Sequence, residues 1–290
     1  MMHDFAPFLD GAGQTAPRST QAEPTQPTRH FPVLFLSDMH LGSPACRETD
    51  LLDFLNAHTA DTIYLVGDII DTWVATSALW SVKQHQILRL LLDRAATGTR
   101  LVFTPGNHDG FFRQYCGQTI AGIQVVNHIL HDSGDGTRYL VIHGDCCDVF
   151  GQRFPGLAKI GARMDCTMRR LIGKVNHWRR KRGLADWMLA ERVVKRVNDL
   201  IRELDNFDAR LADLARFHGA DGIICGHFHK PGLHKNHGVA YGNCGDWVEN
   251  STALAETASG RLLLLDWAAH GQSVDVVGTR SGFEETAEGI

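Results

Sequence analysis

Residues 33–40 read VLFLSDMH, an apolar run that ends in a carboxylate and an imidazole. A continuous apolar run of four or five residues predicts a buried strand, because both faces of such a strand must be covered. Asp38 and His40 would then follow the carboxyl end of this strand. Side chains placed at a strand end can gather around a ligand.

The same pattern returns four times along the chain. Apolar runs span residues 63–66, 101–103, 139–142 and 222–225. The polar motifs that follow them are Gly67-Asp68, Gly106-Asn107-His108-Asp109, His143-Gly144-Asp145 and Gly226-His227-Phe228-His229. Strand ends that are far apart in sequence can meet in space, so we expect the function to lie at one rim of a sheet.

These motifs offer carboxylate, amide and imidazole ligands and no thiolate, a set that suits Mn²⁺, Fe²⁺ or Zn²⁺. The candidate ligands are Asp38, His40, Asp68, Asn107, His143, His227 and His229. They are too many for one catalytic ion that keeps an open position. Two ions roughly 3.5–4 Å apart, sharing one carboxylate, would use them all. Asp68 is central in the order of motifs and is the candidate bridge. A lone histidine is more often structural than a metal ligand. Five such motifs in one chain are far better explained by a metal site.

The series D-x-H, G-D-x-x-D, G-N-H-D, H-G-D and G-H-x-H resembles the calcineurin-like metallophosphoesterase superfamily, over residues 33–246. A closer resemblance lies outside the ligands, in residues 67–73 (GDIIDTW), 143–148 (HGDCCD) and 241–249 (YGNCGDWVE). With an inserted helical segment, these stretches are similar to the UDP-2,3-diacylglucosamine diphosphatase family of lipid A synthesis. The best-known branch of that family has Arg after the motif's Asn, whereas this chain has His108.

The resemblance implies an α/β fold: a metallophosphoesterase sandwich of two central β-sheets flanked by helices, with a helical cap insertion. It also implies two divalent ions, Mn²⁺ in the first place and Fe or Zn as alternatives. The first ion would be held by Asp38, His40, Asp68 and His229. The second would be held by Asp68, Asn107, His143 and His227.

His108 directly follows a ligand, so we expect its ring to face the phosphate and act in catalysis with Asp68. It would stabilise charge or protonate the leaving group. Four further carboxylates are expected to orient imidazoles or to carry loop turns: Asp71, Asp109, Asp145 and Asp148. Five residues are candidate substrate contacts: Asn243, Asp246, Trp247, Arg179 and Arg180.

Composition agrees with one soluble enzyme domain. A chain of 290 residues that is 43% hydrophobic can bury one large core. No run approaches 18 apolar residues, and the N-terminus lacks the basic and apolar regions of an export signal. Seven cysteines without paired metal-finger spacing fit a reducing compartment. We therefore expect a cytoplasmic protein with no nucleic-acid partner.

Three segments flank or interrupt the motifs. Residues 1–30 are rich in Pro, Thr, Gln, Ala and Gly, which predicts a disordered tail before a domain at 31–272 and a C-terminal strand or tail at 273–290. The insertion at about 150–196 holds 13 Lys and Arg against three acids between 152 and 196, a local charge of +10. Apolar residues recur in it at helical spacing. Such a basic, amphipathic cap is typical of an anionic interface, although a solvated basic face over an ordinary core contact is the alternative.

Three functions are compatible with the sequence. The favoured one is a di-metal hydrolase that splits UDP-2,3-diacylglucosamine into UMP and 2,3-diacylglucosamine 1-phosphate, peripheral on the cytoplasmic face of the inner membrane. The second is a metallophosphoesterase acting on a phospholipid head group, another sugar nucleotide or a cyclic nucleotide. The third is a metal-free scaffold, which the intact ligand set disfavours.

Overall fold

A computed structural model describes residues 29–73, 80–154, 206–267, 276–279 and 282–284, with residues 156, 175, 178, 179 and 181–183. The expectations for the N-terminal tail and for most of the inserted segment lie outside these residues. Within the described ranges, no helix has the length and apolar character needed to cross a membrane.

Fourteen strands and four helices make up the described part of the chain. The strands are β1 (Arg29–Leu36), β2 (His58–Leu65), β3 (Arg100–Phe103), β4 (Thr119–Ile120), β5 (Ile123–Val125), β6 (Ile129–Asp132), β7 (Arg138–Val141), β8 (Gly222–Cys225), β9 (Gly232–Asn236), β10 (Val239–Asn243), β11 (Thr252–Glu256), β12 (Leu262–Asp266), β13 (Val276–Thr279) and β14 (Gly282–Glu284). The helices are α1 (Glu48–Ala57), α2 (Val82–Ala96), α3 (Val149–Arg153) and α4 (Phe207–Phe217).

The strands form two mixed sheets. The larger has the order β14-β13-β12-β11-β1-β2-β3-β5-β4, and the smaller has the order β6-β7-β8-β10-β9. The expected α/β sandwich of two central sheets flanked by helices is therefore confirmed. β13 and β14 continue the large sheet beyond residue 272.

The apolar runs are continuous because each strand is covered on both faces. In β1, Val33 and Phe35 face the other sheet and join the core between the two sheets. Leu34 and Leu36 point the opposite way, into the core that the large sheet shares with α1 and α2. The outer face of the small sheet packs against α4 through Phe207 and its neighbours. This alternation with period two places four layers in the order helix, sheet, sheet, helix.

The polar motifs meet where the two sheets end together. β1, β2 and β3 are parallel, and the first three motifs follow their carboxyl ends. β7 and β8 are parallel in the small sheet, and the last two motifs follow them. The expected single rim thus consists of two rims side by side, one from each sheet.

The amphipathic helices differ from their predicted bounds only at the ends. Apolar residues at i, i+3 and i+4 spacing predict helices over residues 49–58 and 80–96. These helices correspond to α1 and α2, and α2 begins after Ser81, whose Oγ accepts a hydrogen bond from the amide of Gln84. Recurring apolar residues also predict one helix over 191–218, of which 191–205 lie outside the described residues. The described helix begins at Phe207, directly after Asn206, whose left-handed φ of 50° a helix interior does not allow.

One buried polar contact joins the two sheets away from the rim. Glu256 of β11 lies 2.5 Å from His131 Nε2 of β6, and its other oxygen accepts the amide of Gly134 at 3.0 Å. The hydroxyl of Tyr64 in β2 lies 3.3 Å from His131 Nδ1. Tyr64 and Glu256 are buried and the His131 side chain is 11% exposed, so this contact links β2 and β11 of the large sheet to β6 of the small one.

We expect Glu256→Ala to lower the free energy of unfolding by about 2–3 kcal/mol, because it leaves a buried imidazole and a backbone amide without their acceptor. Urea denaturation measures this change. Asp61→Ala is the control, since Asp61 meets His30 at 3.3 Å on the surface with a side chain that is 74% exposed; it should change the free energy by less than about 0.5 kcal/mol. Equal effects of the two variants would contradict the role of the Glu256 contact.

Candidate metal centre

The backbone at the rim adopts an unusual conformation. Five of the seven candidate ligands have a left-handed φ, between 48° and 75°: Asp38, His40, Asp68, His227 and His229. A left-handed non-glycine residue costs on the order of 1–3 kcal/mol and persists only where its surroundings hold it in place. Hydrogen bonds between the backbones of different motifs hold these residues in this conformation. The amide of Asp38 donates to Gly67 O at 3.0 Å, and that of His40 donates to Asp68 O at 2.9 Å. Strain of this kind clusters at functional sites.

A first group of ligand atoms forms around Asp38. His229 Nε2 lies 3.2 Å from Asp38 Oδ1, and His40 Nε2 lies 3.8 Å from the same oxygen. The two imidazole nitrogens are 3.3 Å apart. Burial alone would raise the pKa of Asp38, but the imidazoles of His229 and His40 hold that pKa well below its ordinary value. Asp38 is therefore an anionic ligand.

A second group forms around Asp68. His143 Nε2 lies 3.4 Å from Asp68 Oδ2, and atoms of Asp68, His143 and His227 lie within 4.8 Å of one another. Asp68 also belongs to a group with His40 and His108. Because His40 is also in the first group, Asp68 lies between the two groups, the position that a bridging carboxylate would need.

Each histidine turns one nitrogen towards the centre and the other towards a fixed acceptor. His143 Nδ1 donates to Val66 O at 2.9 Å, which leaves the lone pair of Nε2 facing Asp68. His227 Nε2 donates to Asp148 Oδ2 at 3.0 Å, which leaves Nδ1 as its inward nitrogen. This carboxylate–histidine arrangement is typical of metal-binding histidines.

The same arrangement holds for the other two imidazoles. His40 Nδ1 faces Asp71 Oδ2 at 3.5 Å, and His229 Nδ1 faces Asp246 Oδ1 at 3.8 Å. The structure thus places Asp71 and Asp148 where they were expected, beside imidazoles.

Three buried atoms at the centre lack a hydrogen-bond partner: Asp38 Oδ1, Asn107 Oδ1 and His143 Nε2. A buried acceptor without a donor costs about 1–3 kcal/mol, and divalent cations bound beside these atoms would satisfy them. The donors are oxygens and imidazole nitrogens, which suit Mn²⁺, Fe²⁺ or Zn²⁺. The residues present therefore fit the two divalent ions that the ligand set predicted.

Asp109 ties the second motif to the third. Its Oδ2 accepts the amide of Ile69 at 2.7 Å and its Oδ1 accepts that of Gly106 at 2.6 Å. Burial, and then the carboxylate of Asp68, raise the pKa of Asp109 to about 7. Asp109 therefore carries loop turns, whereas Asp145 pairs with Arg113 at 2.6 Å at the edge of the site.

The glycines of the motifs make room for the ligands. A Cβ on Gly106 would lie 2.3 Å from Asp68 Oδ1, and one on Gly226 would lie 2.3 Å from Asp38 Oδ2. Gly67 has a φ of +78°, and its Cβ would lie 2.3 Å from the His143 ring. Any side chain at these positions would displace a ligand.

Ser37 supports the site and was missed at the sequence level. It is fully buried, and its Oγ lies 2.5 Å from Asp38 Oδ2 and 2.6 Å from Val66 O. Its position directly before the first ligand is the only signal the sequence offers, and serine is too common for that position to be informative.

The residues expected to contact substrate are not at the surface. Asn243, Asp246 and Trp247 are fully buried. Asn243 Nδ2 donates to Gly226 O at 2.9 Å, and Trp247 packs against Phe54 with ring centroids 5.0 Å apart. The structure therefore places Asn243 and Asp246 against the loop that carries His227 and His229, and Trp247 in the core that the large sheet shares with α1.

The remaining two expected contacts lie on the inserted segment. Arg179 is half-buried there, and Arg180 lies outside the described residues. His108 lies at the centre itself, with Nε2 4.0 Å from Asp68 Oδ2.

A two-sheet sandwich with carboxylates and imidazoles gathered at its strand ends defines a metal-dependent hydrolase of phosphoesters. Residues 31–231 match the family model for calcineurin-like phosphoesterases, and the chain belongs to that family. The expected hydrolase class is thereby confirmed.

Relatives and solved structures share most of their length with this chain. A UDP-2,3-diacylglucosamine hydrolase of Nitrosococcus oceani is 27% identical over 240 residues, covering 79% of this chain and 92% of the relative. A protein of the same name from Neisseria meningitidis serogroup B is 27% identical over 233 residues, covering 77% and 92%. A Vps29 single mutant from Entamoeba histolytica is 16% identical, with a TM-score of 0.41, over 83% of this chain and 94% of that structure.

We expect Asp68→Ala to abolish hydrolysis and to lower bound metal well below two ions per chain, because two neighbouring cations lose the charge that they share. Elemental analysis of purified protein, with bis(4-nitrophenyl) phosphate as substrate, measures both quantities. Asp93→Ala on α2 is the control, since that carboxylate is exposed and pairs only with Arg89 among the ion pairs described. Two ions per chain together with retained activity in Asp68→Ala would rule out the bridge.

Proposed function

We propose that this protein hydrolyses the diphosphate of UDP-2,3-diacylglucosamine, giving UMP and 2,3-diacylglucosamine 1-phosphate. The observation that carries the proposal is the similarity to hydrolases of that name over 92% of their length, which includes motifs outside the ligand set. The substrate is a nucleotide-linked lipid, and no nucleic acid takes part.

In this proposal Asp38, His40, Asp68 and His229 hold one divalent ion, and Asp68, Asn107, His143 and His227 hold the other. Mn²⁺ is the expected metal, with Fe or Zn as alternatives. When bound, such ions supply Lewis-acid polarisation of a phosphoryl oxygen and an activated water. The chain itself fixes the tautomer and direction of each imidazole through the acceptor behind it.

His108 acts on the phosphoryl group. Its Nδ1 lies 3.1 Å from Asp71 Oδ1, so the opposite nitrogen, Nε2, is the one turned towards the centre. Its backbone amide donates to Asp68 Oδ1 at 2.8 Å, which fixes the residue beside the bridging carboxylate. Because the leaving group is itself a phosphate and needs little protonation, His108 serves chiefly to stabilise the negative charge of the transition state.

A second candidate is a phosphodiesterase with an alkoxide leaving group, such as one acting on a cyclic nucleotide. The observation that favours it is the histidine at 108, since a histidine can deliver a proton and an arginine cannot. A metal-free scaffold is disfavoured, because it would leave the buried acceptors of the centre without partners.

The inserted segment would form the lipid-facing cap of a peripheral enzyme at the cytoplasmic face of the inner membrane. Trp178 is 50% exposed and lies under the guanidinium of Arg182, at 3.7 Å. An exposed aromatic ring beside a cation is typical of a membrane interface. The proposed organisation is a tail at 1–30, the catalytic domain at 31–272 with the cap at about 150–196, and a C-terminal segment at 273–290.

We expect His108→Ala to leave metal content near normal and to lower kcat by about 10²–10⁴-fold, the usual scale for a positioned acid or charge stabiliser. His108→Arg should recover part of this loss on UDP-2,3-diacylglucosamine, and less on a cyclic nucleotide, whose leaving group is an alkoxide. Steady-state kinetics on both substrates is the measurement, and His85→Ala on α2 is the control. Equal recovery on both substrates would argue against the electrostatic role.

We expect replacement of residues 164–182 by a short linker to spare the metals and the hydrolysis of bis(4-nitrophenyl) phosphate, since no candidate ligand lies there. The variant should lose most of its kcat/KM for UDP-2,3-diacylglucosamine and its binding to phosphatidylglycerol vesicles. Each basic residue near an anionic surface contributes about 1 kcal/mol, so the loss should be larger at low salt. Unchanged lipid turnover and vesicle binding would show that the segment is a solvated surface feature.

A further inference from the structure

Residues 71–73 enclose His108 on three sides. Asp71 Oδ1 meets its Nδ1 at 3.1 Å. The amide of Thr72 donates to the His108 carbonyl at 3.2 Å, and the Thr72 hydroxyl donates to the same oxygen. The indole of Trp73 covers the imidazole face, with ring centroids 3.9 Å apart and planes inclined by 22°. This segment begins three residues after Asp68. One stretch of chain, 68–73, therefore holds both the candidate bridge and the residues that position the candidate catalytic group.

The contacts of this segment close into a ring. The amide of Trp73 donates to Asp71 Oδ1 at 3.0 Å, the oxygen that also meets His108 Nδ1. Trp73 therefore holds the carboxylate with its backbone and the imidazole with its side chain. On another side of the imidazole stands the His40 ring, edge-on, with centroids 4.6 Å apart and planes at 88°. The imidazole cannot turn about its χ2 axis without displacing the indole or the ligand His40.

We propose that Trp73 is a positioning residue for His108. Its indole fixes the plane of the imidazole so that Nε2 faces the phosphoryl group. The hydrogen bond of Asp71 restrains the ring at one atom, Nδ1, whereas the stacked indole restrains the tilt of the whole ring. A catalytic group that is misplaced by about 1 Å can cost on the order of a hundredfold in rate. This inference rests on the catalytic role proposed for His108.

The alternatives for Trp73 make different kinetic predictions. An indole that contacts the substrate contributes to KM, whether or not His108 is present. An indole that only stabilises the loop changes metal content and folding. A positioning residue changes kcat, and it does so only while His108 is there to be positioned.

A double-mutant cycle separates these alternatives. The variants are Trp73→Leu, Trp73→Phe, His108→Ala and the double variant Trp73→Leu/His108→Ala, prepared as full chains loaded with Mn²⁺. The substrate is bis(4-nitrophenyl) phosphate, so the result does not depend on the lipid assignment. Trp80→Phe is the control for loss of an indole, since Trp80 is half-buried and meets His85 rather than His108. Elemental analysis and circular dichroism report on metal content and folding.

We expect Trp73→Leu to lower kcat by about 10- to 100-fold with KM changed by less than about twofold. Trp73→Phe, which keeps an aromatic face, should restore most of kcat. In the His108→Ala background, Trp73→Leu should cost less than about twofold, because the group it positions is gone. If Trp73→Leu lost metal or fold, Trp73→Met, which keeps more of the side-chain bulk without an aromatic face, would replace it in both backgrounds.

The other results overturn either the positioning role of Trp73 or the role proposed for His108. A loss of the same size in both backgrounds, a change confined to KM, or no loss in Trp73→Leu while His108→Ala is impaired, would each overturn the positioning role of Trp73 and leave that of His108 intact. Wild-type activity in His108→Ala would instead overturn the role proposed for His108, and with it that of Trp73.

Discussion

The rim of this sandwich depends on one electrostatic constraint: buried hydrogen-bond acceptors gather there without donors. Asp38 Oδ1, Asn107 Oδ1 and His143 Nε2 are buried with no donor to meet them. Lone pairs that converge in this way repel one another unless a cation lies among them. The motif glycines, the left-handed ligand residues and the acceptors behind each imidazole all serve to hold this arrangement in place.

The sequence was most informative about features that depend only on residues near one another in the chain. A run such as 222–225 has to be covered on both faces, so it predicts a buried strand without knowledge of its neighbours, and β8 spans those residues. The polar residues after such runs had to share a rim, because the carboxyl ends of parallel strands lie together. Asp68 was predicted to be the bridge because it is central in the order of motifs, and the structure places it beside both His40 and His143.

Other features depend on packing between distant segments, and the sequence carries no local sign of them. Trp247 and Asp246 look like pocket residues because they follow a strand end, yet both are fully buried, Trp247 against Phe54 and Asp246 beside His229. The division of the motifs between two sheets depends on which strands pair, which an apolar run does not encode. Trp73 ends the 67–73 motif, but the motif does not show its role, which depends on the face of His108 that it covers.

The division of ligands between two sheets has a thermodynamic consequence. Asp38, His40 and Asp68 belong to the large sheet, and His143, His227 and His229 belong to the small one, so a cation at the centre acts as a cross-link between the two halves of the sandwich. Binding to the folded state alone adds about 2.7 kcal/mol of stability when free metal stands a hundredfold above its dissociation constant. Chelation should therefore weaken the packing between the two sheets, starting at the rim. The melting temperature should rise with the concentration of free metal.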